Sequence, residues 1–110
     1  MRRAMALLAL AVVGACTGNA EGQAATRAQD ACIVALEPVA QRRAPTSDEA
    51  QQAARLADSA ADVDDRWVPL RARTHDLNTA VLHGVDPQPA VDALADECRR
   101  VNEIVRSNQR

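Results

Sequence analysis

Residues 47–83, SDEAQQAARLADSAADVDDRWVPLRARTHDLNTAVLH, decide the fold. Apolar side chains recur at 3-4 spacing through Ala53, Leu56, Ala60, Val63 and Trp67. The same phase continues past Pro69 through Leu70, Thr74, Leu77 and Val81. That spacing marks one face of an α-helix. Phase continuity favours one kinked helix, whereas Pro69, which biases Val68 away from helical angles, favours a break.

The flanks read more simply. Pro45-Thr46-Ser47-Asp48-Glu49 is a helix start, with Thr46 as N-cap and Glu49 as its capping-box partner. Before it, about 26–43 forms a first helix. Its stripe is Ala25, Ala28, Cys32, Ala35 and Val39, widened by Ile33, Leu36 and Ala40, and Pro38 near its end is a candidate kink. After it, Gly84 stops the helix, Asp86 caps the next and Pro87 suits a first turn. A last helix over about 87–107 carries Val91, Leu94, Cys98, Val101 and Val105 on one face.

Two cysteines arbitrate the central segment. With a break near Trp67–Pro69, the chain is all-α, a small up-down-up-down bundle of about four helices in which the first and last are antiparallel neighbours. Cys32 and Cys98 then each lie about eleven residues below the same end of the bundle. With one straight central helix, their heights would differ by roughly 20 Å, far beyond the ~6 Å between Cα atoms that a disulfide spans. A Cys32–Cys98 bridge and a break near Pro69 are therefore predicted together.

The third cysteine points elsewhere. Arg2 and Arg3 precede an uncharged apolar run, Ala4 to Val13, which is followed by Gly14, Ala15 and Cys16. Ten apolar residues cover roughly half of a ~30 Å hydrocarbon core, so the run suits a signal segment and not a span. Val13-Gly14-Ala15-Cys16 resembles the lipobox of bacterial lipoproteins, with Val13 in place of the usual Leu. The resemblance covers residues 1–16. It implies cleavage before Cys16, diacylglycerol on its thiol, and a home in the cell envelope, at the outer face of the cytoplasmic membrane or at the outer membrane. An ordinary secretory signal is the alternative, since Val13 and Ala15 also satisfy a small-residue cleavage rule.

An exported chain meets oxidising conditions, which favours the Cys32–Cys98 pairing and leaves Cys16 for lipid. The organisation expected is a signal peptide over 1–15, lipidated Cys16 with a flexible tether through 25, and a bundle domain over 26–110.

Composition limits the rest. The 110 residues carry 13 basic and 15 acidic groups, a formal charge of −2, too mild for a nucleic-acid partner or a polybasic membrane patch. All the basic residues are Arg and Ala is the commonest residue, as codon bias in a GC-rich bacterial genome produces, so the arginines do not by themselves mark phosphate recognition. Large apolar side chains are few, and so small a core usually needs a staple.

The sequence offers little catalytic or metal-binding chemistry. Asp58, Asp62 and Asp65 share a helical face with no His on it, and Arg55 and Arg66 stand at pairing distance. His75 and His83 are two turns apart, too far for one metal, and His83 sits at a helix C-terminus where a cation is favoured. No zinc, haem or di-iron spacing, phosphate loop or nucleophile set is present, so no catalytic residues, metal or cofactor are assigned. Trp67, the sole aromatic residue, falls at the end where the tether enters, among Arg27, Arg66, Arg71, Arg73 and Arg106. Core packing is its favoured role, because Asp30, Asp62, Asp64, Asp65 and Glu103 nearly cancel the charge there, and membrane-interface contact is the second candidate. The function expected is a non-catalytic envelope lipoprotein that binds membrane lipid through acylated Cys16 and engages an envelope protein partner. A small-ligand or metal carrier, with a cavity lined by Leu56, Val63, Leu77 and Leu94, and an inhibitor or immunity protein are the alternatives.

Overall fold

The computed structural model describes residues 19–108, and the leader and Cys16 lie outside them. Four helices follow one another: α1 Ala20–Ala40, α2 Ser47–Val63, α3 Val68–Leu82 and α4 Gln88–Asn108, with a single 3-10 turn, Asp65–Trp67, between α2 and α3. Each packs on its chain neighbour, and α4 closes the ring against α1. The all-α up-down-up-down bundle predicted from the stripes is the observed fold. Its staple is observed too: Cys32 and Cys98 are bonded, with Cα atoms 5.8 Å apart.

The break in the central segment comes before Pro69. α2 stops at Val63 because Asp64 leaves helical space, at φ −145° and ψ 118°. Its carboxylate accepts the Arg66 N–H at 3.0 Å, the local cap that Asp side chains offer in competition with a helix. Pro69 lies in the first turn of α3, where a missing N–H costs nothing. The corner spans residues 64–67, about one helical turn. The apolar phase therefore survives although the chain reverses, which is why spacing alone could not distinguish one helix from two.

The other ends obey capping chemistry. Thr46 Oγ1 accepts the Glu49 N–H at 3.2 Å and Glu49 Oε1 accepts the Thr46 N–H at 2.8 Å. Asp86 Oδ1 accepts the Gln88 N–H at 3.0 Å. α3 ends in a Schellman motif: the Val85 N–H donates to the Ala80 carbonyl, the Gly84 N–H donates to Val81, and Gly84 has φ 65°. α1 ends in the same motif, with Arg43 donating to Pro38 and Arg42 to Val39, but there the left-handed residue is Arg42, at φ 63°. α1 closes at Ala40, just past the buried Pro38, short of the expected 43.

The start of α1 corrects the expected tether. Residues 20–25 are helical, so no flexible segment runs through residue 25. Ala24 is fully buried, in line with Ala28, Ala31 and Ala35. The extra turn belongs to the bundle, and alanine gave it no hydropathy contrast by which to announce itself.

The core is built unevenly. α1 buries Ala24, Ala28, Ala31, Cys32, Ala35 and Pro38, and α2 buries only alanines. The large buried side chains come from the corner, α3 and α4: Trp67, Leu70, Leu77, Leu94 and Val101. Every position of the predicted α4 stripe is buried. On α2 the stripe is rotated from expectation: Ala53 and Ala60 are buried, Leu56 is only half-buried, and Val63 is 48 % exposed. Ile33, read as widening the α1 stripe, is 56 % exposed. Alanine methyls let α1 and α2 approach closely, and helix spacing is set by the side chains at the contact.

Candidate functional site

Residues 63–68 form the most articulated part of the molecule. Arg66 reaches back to Asp64, its Nη2 2.6 Å from Oδ2 and its Nε 2.9 Å from the same oxygen. Those bonds hold the Asp64 carboxyl below the usual carboxylate range and raise the guanidinium pKa. The Arg66 guanidinium lies over the Trp67 ring, 5.6 Å from its centroid, a cation–π contact. From α4, Arg100 donates to the Arg66 carbonyl at 2.7 Å while its Nε binds Glu97. The 3-10 turn is thus tied to the last helix by the Arg100 side chain.

Trp67 is fully buried and its indole N–H has no protein acceptor. Core packing, the favoured of its two readings, is observed, and the candidate membrane-interface role is corrected: the ring plugs the end of the core beneath Arg66 and presents no surface outward. The large apolar side chains exposed at this corner are Val63 and Val68, the latter 38 % exposed, beside the exposed Asp62, Asp65 and Pro69. The stripe placed Val63 in the core, and Val68 was read only as biased away from helical angles, whereas it opens α3 at φ −58° and ψ −44°. Asp64 as a cap ends α2 at Val63, several residues before the break expected near Trp67–Pro69.

An open groove of about 500 Å³ runs along this end, lined by Glu21, Gly22, Thr26, Gln29, Arg66 and Val105. The start of α1, the corner and the end of α4 therefore share one end of the bundle. A second groove, of about 540 Å³, lies along α1 and α4 beside the disulfide, lined by Ile33, Leu36, Ala40, Cys98 and Asn102. Of the four residues expected to line a carrier cavity, Leu77 and Leu94 are fully buried in one packed core, Leu56 packs half-buried against that core, and Val63 is outside.

The acidic run pairs across helices. Asp58 Oδ1 is 2.7 Å from His75 Nε2 on α3, and Asp62 is 4.0 Å from Arg71. The expected partners along the helix, Arg55 and Arg66, are not used by these two acids, and Asp65 leaves their face because α2 has already ended. Among the described residues no three His, Cys, Asp or Glu side chains converge as a metal site. His83 sits at the α3 C-cap, as its position predicted. At the far end Arg43 makes two bonds to Glu49, at 2.8 and 2.9 Å. Chiefly through these, and then through the Thr46 N–H, the Glu49 carboxyl is lowered to about 2.

No helix among the described residues is long and apolar enough to cross a membrane. No protein-family model, curated protein or solved structure matches the chain.

Proposed function

We propose that this chain is a bacterial envelope lipoprotein, processed before Cys16 and held at a membrane by lipid on that residue, with the helical bundle as a non-catalytic module for contact with another envelope protein. One observation carries the reading: Val13-Gly14-Ala15-Cys16 closes an apolar leader, while the other two cysteines are bonded to each other within the bundle. Cys16 is the odd thiol, and acylation gives it a fate of its own. A disulfide in a small domain also agrees with an oxidising compartment. Two or three acyl chains anchor stably where one does not, so the anchor needs no further membrane segment. The alanine-packed interior suits a surface-binding role better than a carrier.

The test is the mass of the mature N-terminus. Protein extracted from membranes should begin at Cys16 and carry a diacylglycerol, and Cys16→Ala should leave the leader uncleaved. A mature chain beginning at an unmodified Cys16 would convert the reading to simple secretion.

A further inference from the structure

We propose that Val63 and Val68, the two exposed apolar residues flanking the corner, rest on the phospholipid surface when the chain is anchored through Cys16; the inference builds on the lipoprotein reading above. The first support is the length of chain outside the structure and where it ends. α1 begins at Ala20, so only residues 17–19 separate Cys16 from the first helical turn, a reach of ~10 Å fully extended. A ten-residue tether would have let the bundle float, and this one does not.

The second support is which end the anchor enters. Glu21 and Gly22, in the first turn of α1, line the same groove as Arg66, so the corner lies beside the anchor point. Of the large exposed apolar side chains, Val63 and Val68 belong to that end, whereas Leu82 and Val85 stand at the opposite one and Ile33 lies partway along α1.

Charge selects the kind of contact. Arg66 is committed to Asp64 and Arg71 faces Asp62, itself 76 % exposed. Glu21, Asp65 and Glu103 share this end with Arg27 and Arg106. Acids slightly outnumber bases, so an anionic bilayer gains nothing, and the contact is apolar and forms on zwitterionic lipid. Two half-exposed valines would not hold a free protein to a membrane. On an anchored chain the contact is intramolecular, at an effective concentration in the mM range, so it sets orientation while the lipid supplies attachment.

Trp67, next to Val68 in the chain and the only aromatic residue, is a built-in reporter. Acylated full-length mature protein is placed in phosphatidylcholine vesicles with and without a nitroxide on the choline headgroup. Loss of Trp67 emission in the nitroxide vesicles is expected. It should be abolished in Val63→Glu/Val68→Glu, reduced in the milder Val63→Gln/Val68→Gln, and retained in Leu82→Glu/Val85→Glu, each first checked for native helical dichroism. Equal emission in the two vesicles, or quenching that persists in both corner variants, overturns the contact. The mass of the Cys16 peptide from the same sample separates the two ideas: an unmodified Cys16 sinks the lipoprotein reading and the contact with it, whereas an acylated Cys16 with unquenched Trp67 sinks the contact alone.

Discussion

The two hairpins of the bundle are made of different material. α1 and α2 bury little beyond alanine, while Trp67, α3 and α4 bury the indole and the leucines. A buried alanine methyl contributes about as much as one methylene, ~0.8 kcal/mol, against ~1.5–3 kcal/mol for a whole leucine side chain. The first hairpin therefore depends on close backbone approach and the second on side-chain volume. They should fail in opposite ways, the first when something is added and the second when something is removed.

The strongest way to break the comparison is to cut the bond that joins the halves. Cys32→Ala/Cys98→Ala removes a closure across 66 residues, worth about 4 kcal/mol in the chain-entropy account. The urea midpoint should drop accordingly, and reduction of the native protein should match it.

Opposed substitutions then sharpen the contrast. Leu77→Ala, at a fully buried site, should cost about 3 kcal/mol through lost transfer energy and a cavity. Ala57→Leu, also at a fully buried site, should cost about 2 kcal/mol by forcing α1 and α2 apart. Chemical denaturation measures both, and an Ala57→Leu protein as stable as the parent would show that the alanine interface is slack.

Smaller effects come from the two helix ends that share a motif. Arg42→Gly should stabilise by about 0.5–1 kcal/mol, because a left-handed residue with a Cβ gives way to one without. Gly84→Ala should destabilise by about 1 kcal/mol, and since a Cβ there would meet nothing within 4 Å, the cost is purely conformational. Thermal melts of the pair should move in opposite directions.

The smallest effect is electrostatic. Glu49, lowered to about 2 by Arg43 and the Thr46 N–H, has a folded pKa below its unfolded one. Its contribution is present above the ordinary carboxylate pKa and is lost as pH falls through about 4 toward 2. In Glu49→Gln, the fall in stability across that window should be shallower, read by urea titration at each pH.

The same contrast explains what could be read from the sequence. The α4 stripe, where Val91, Leu94, Cys98, Val101 and Val105 stand out against charged neighbours, was legible in full, and with it the Cys32–Cys98 pairing. The alanine half was not. Ala24 extends α1 by a turn beneath Gly22 and Gln23, residues that read as tether. On α2 the buried face is carried by Ala54, Ala57 and Ala61, which differ too little in hydropathy from their neighbours to outweigh Leu56 and Val63 in the pattern. At the candidate site the inward packing of Trp67 was legible in the stripe, whereas the end of α2 at Val63 was not, because Asp64 stops the helix before Pro69 can.

The bridge between the first and last helices also bears on proteolysis. The loops at 41–46 and 83–87 both lie between Cys32 and Cys98. A single cut in either would leave two peptides joined in one covalent unit, still carrying whatever is attached at Cys16. Such a nicked protein would run as one species until a reductant is added, and its helices, held at high local concentration, would have every opportunity to stay in register. A protease would need two cuts inside the bridged segment, or one cut followed by reduction, before it could shed a helix.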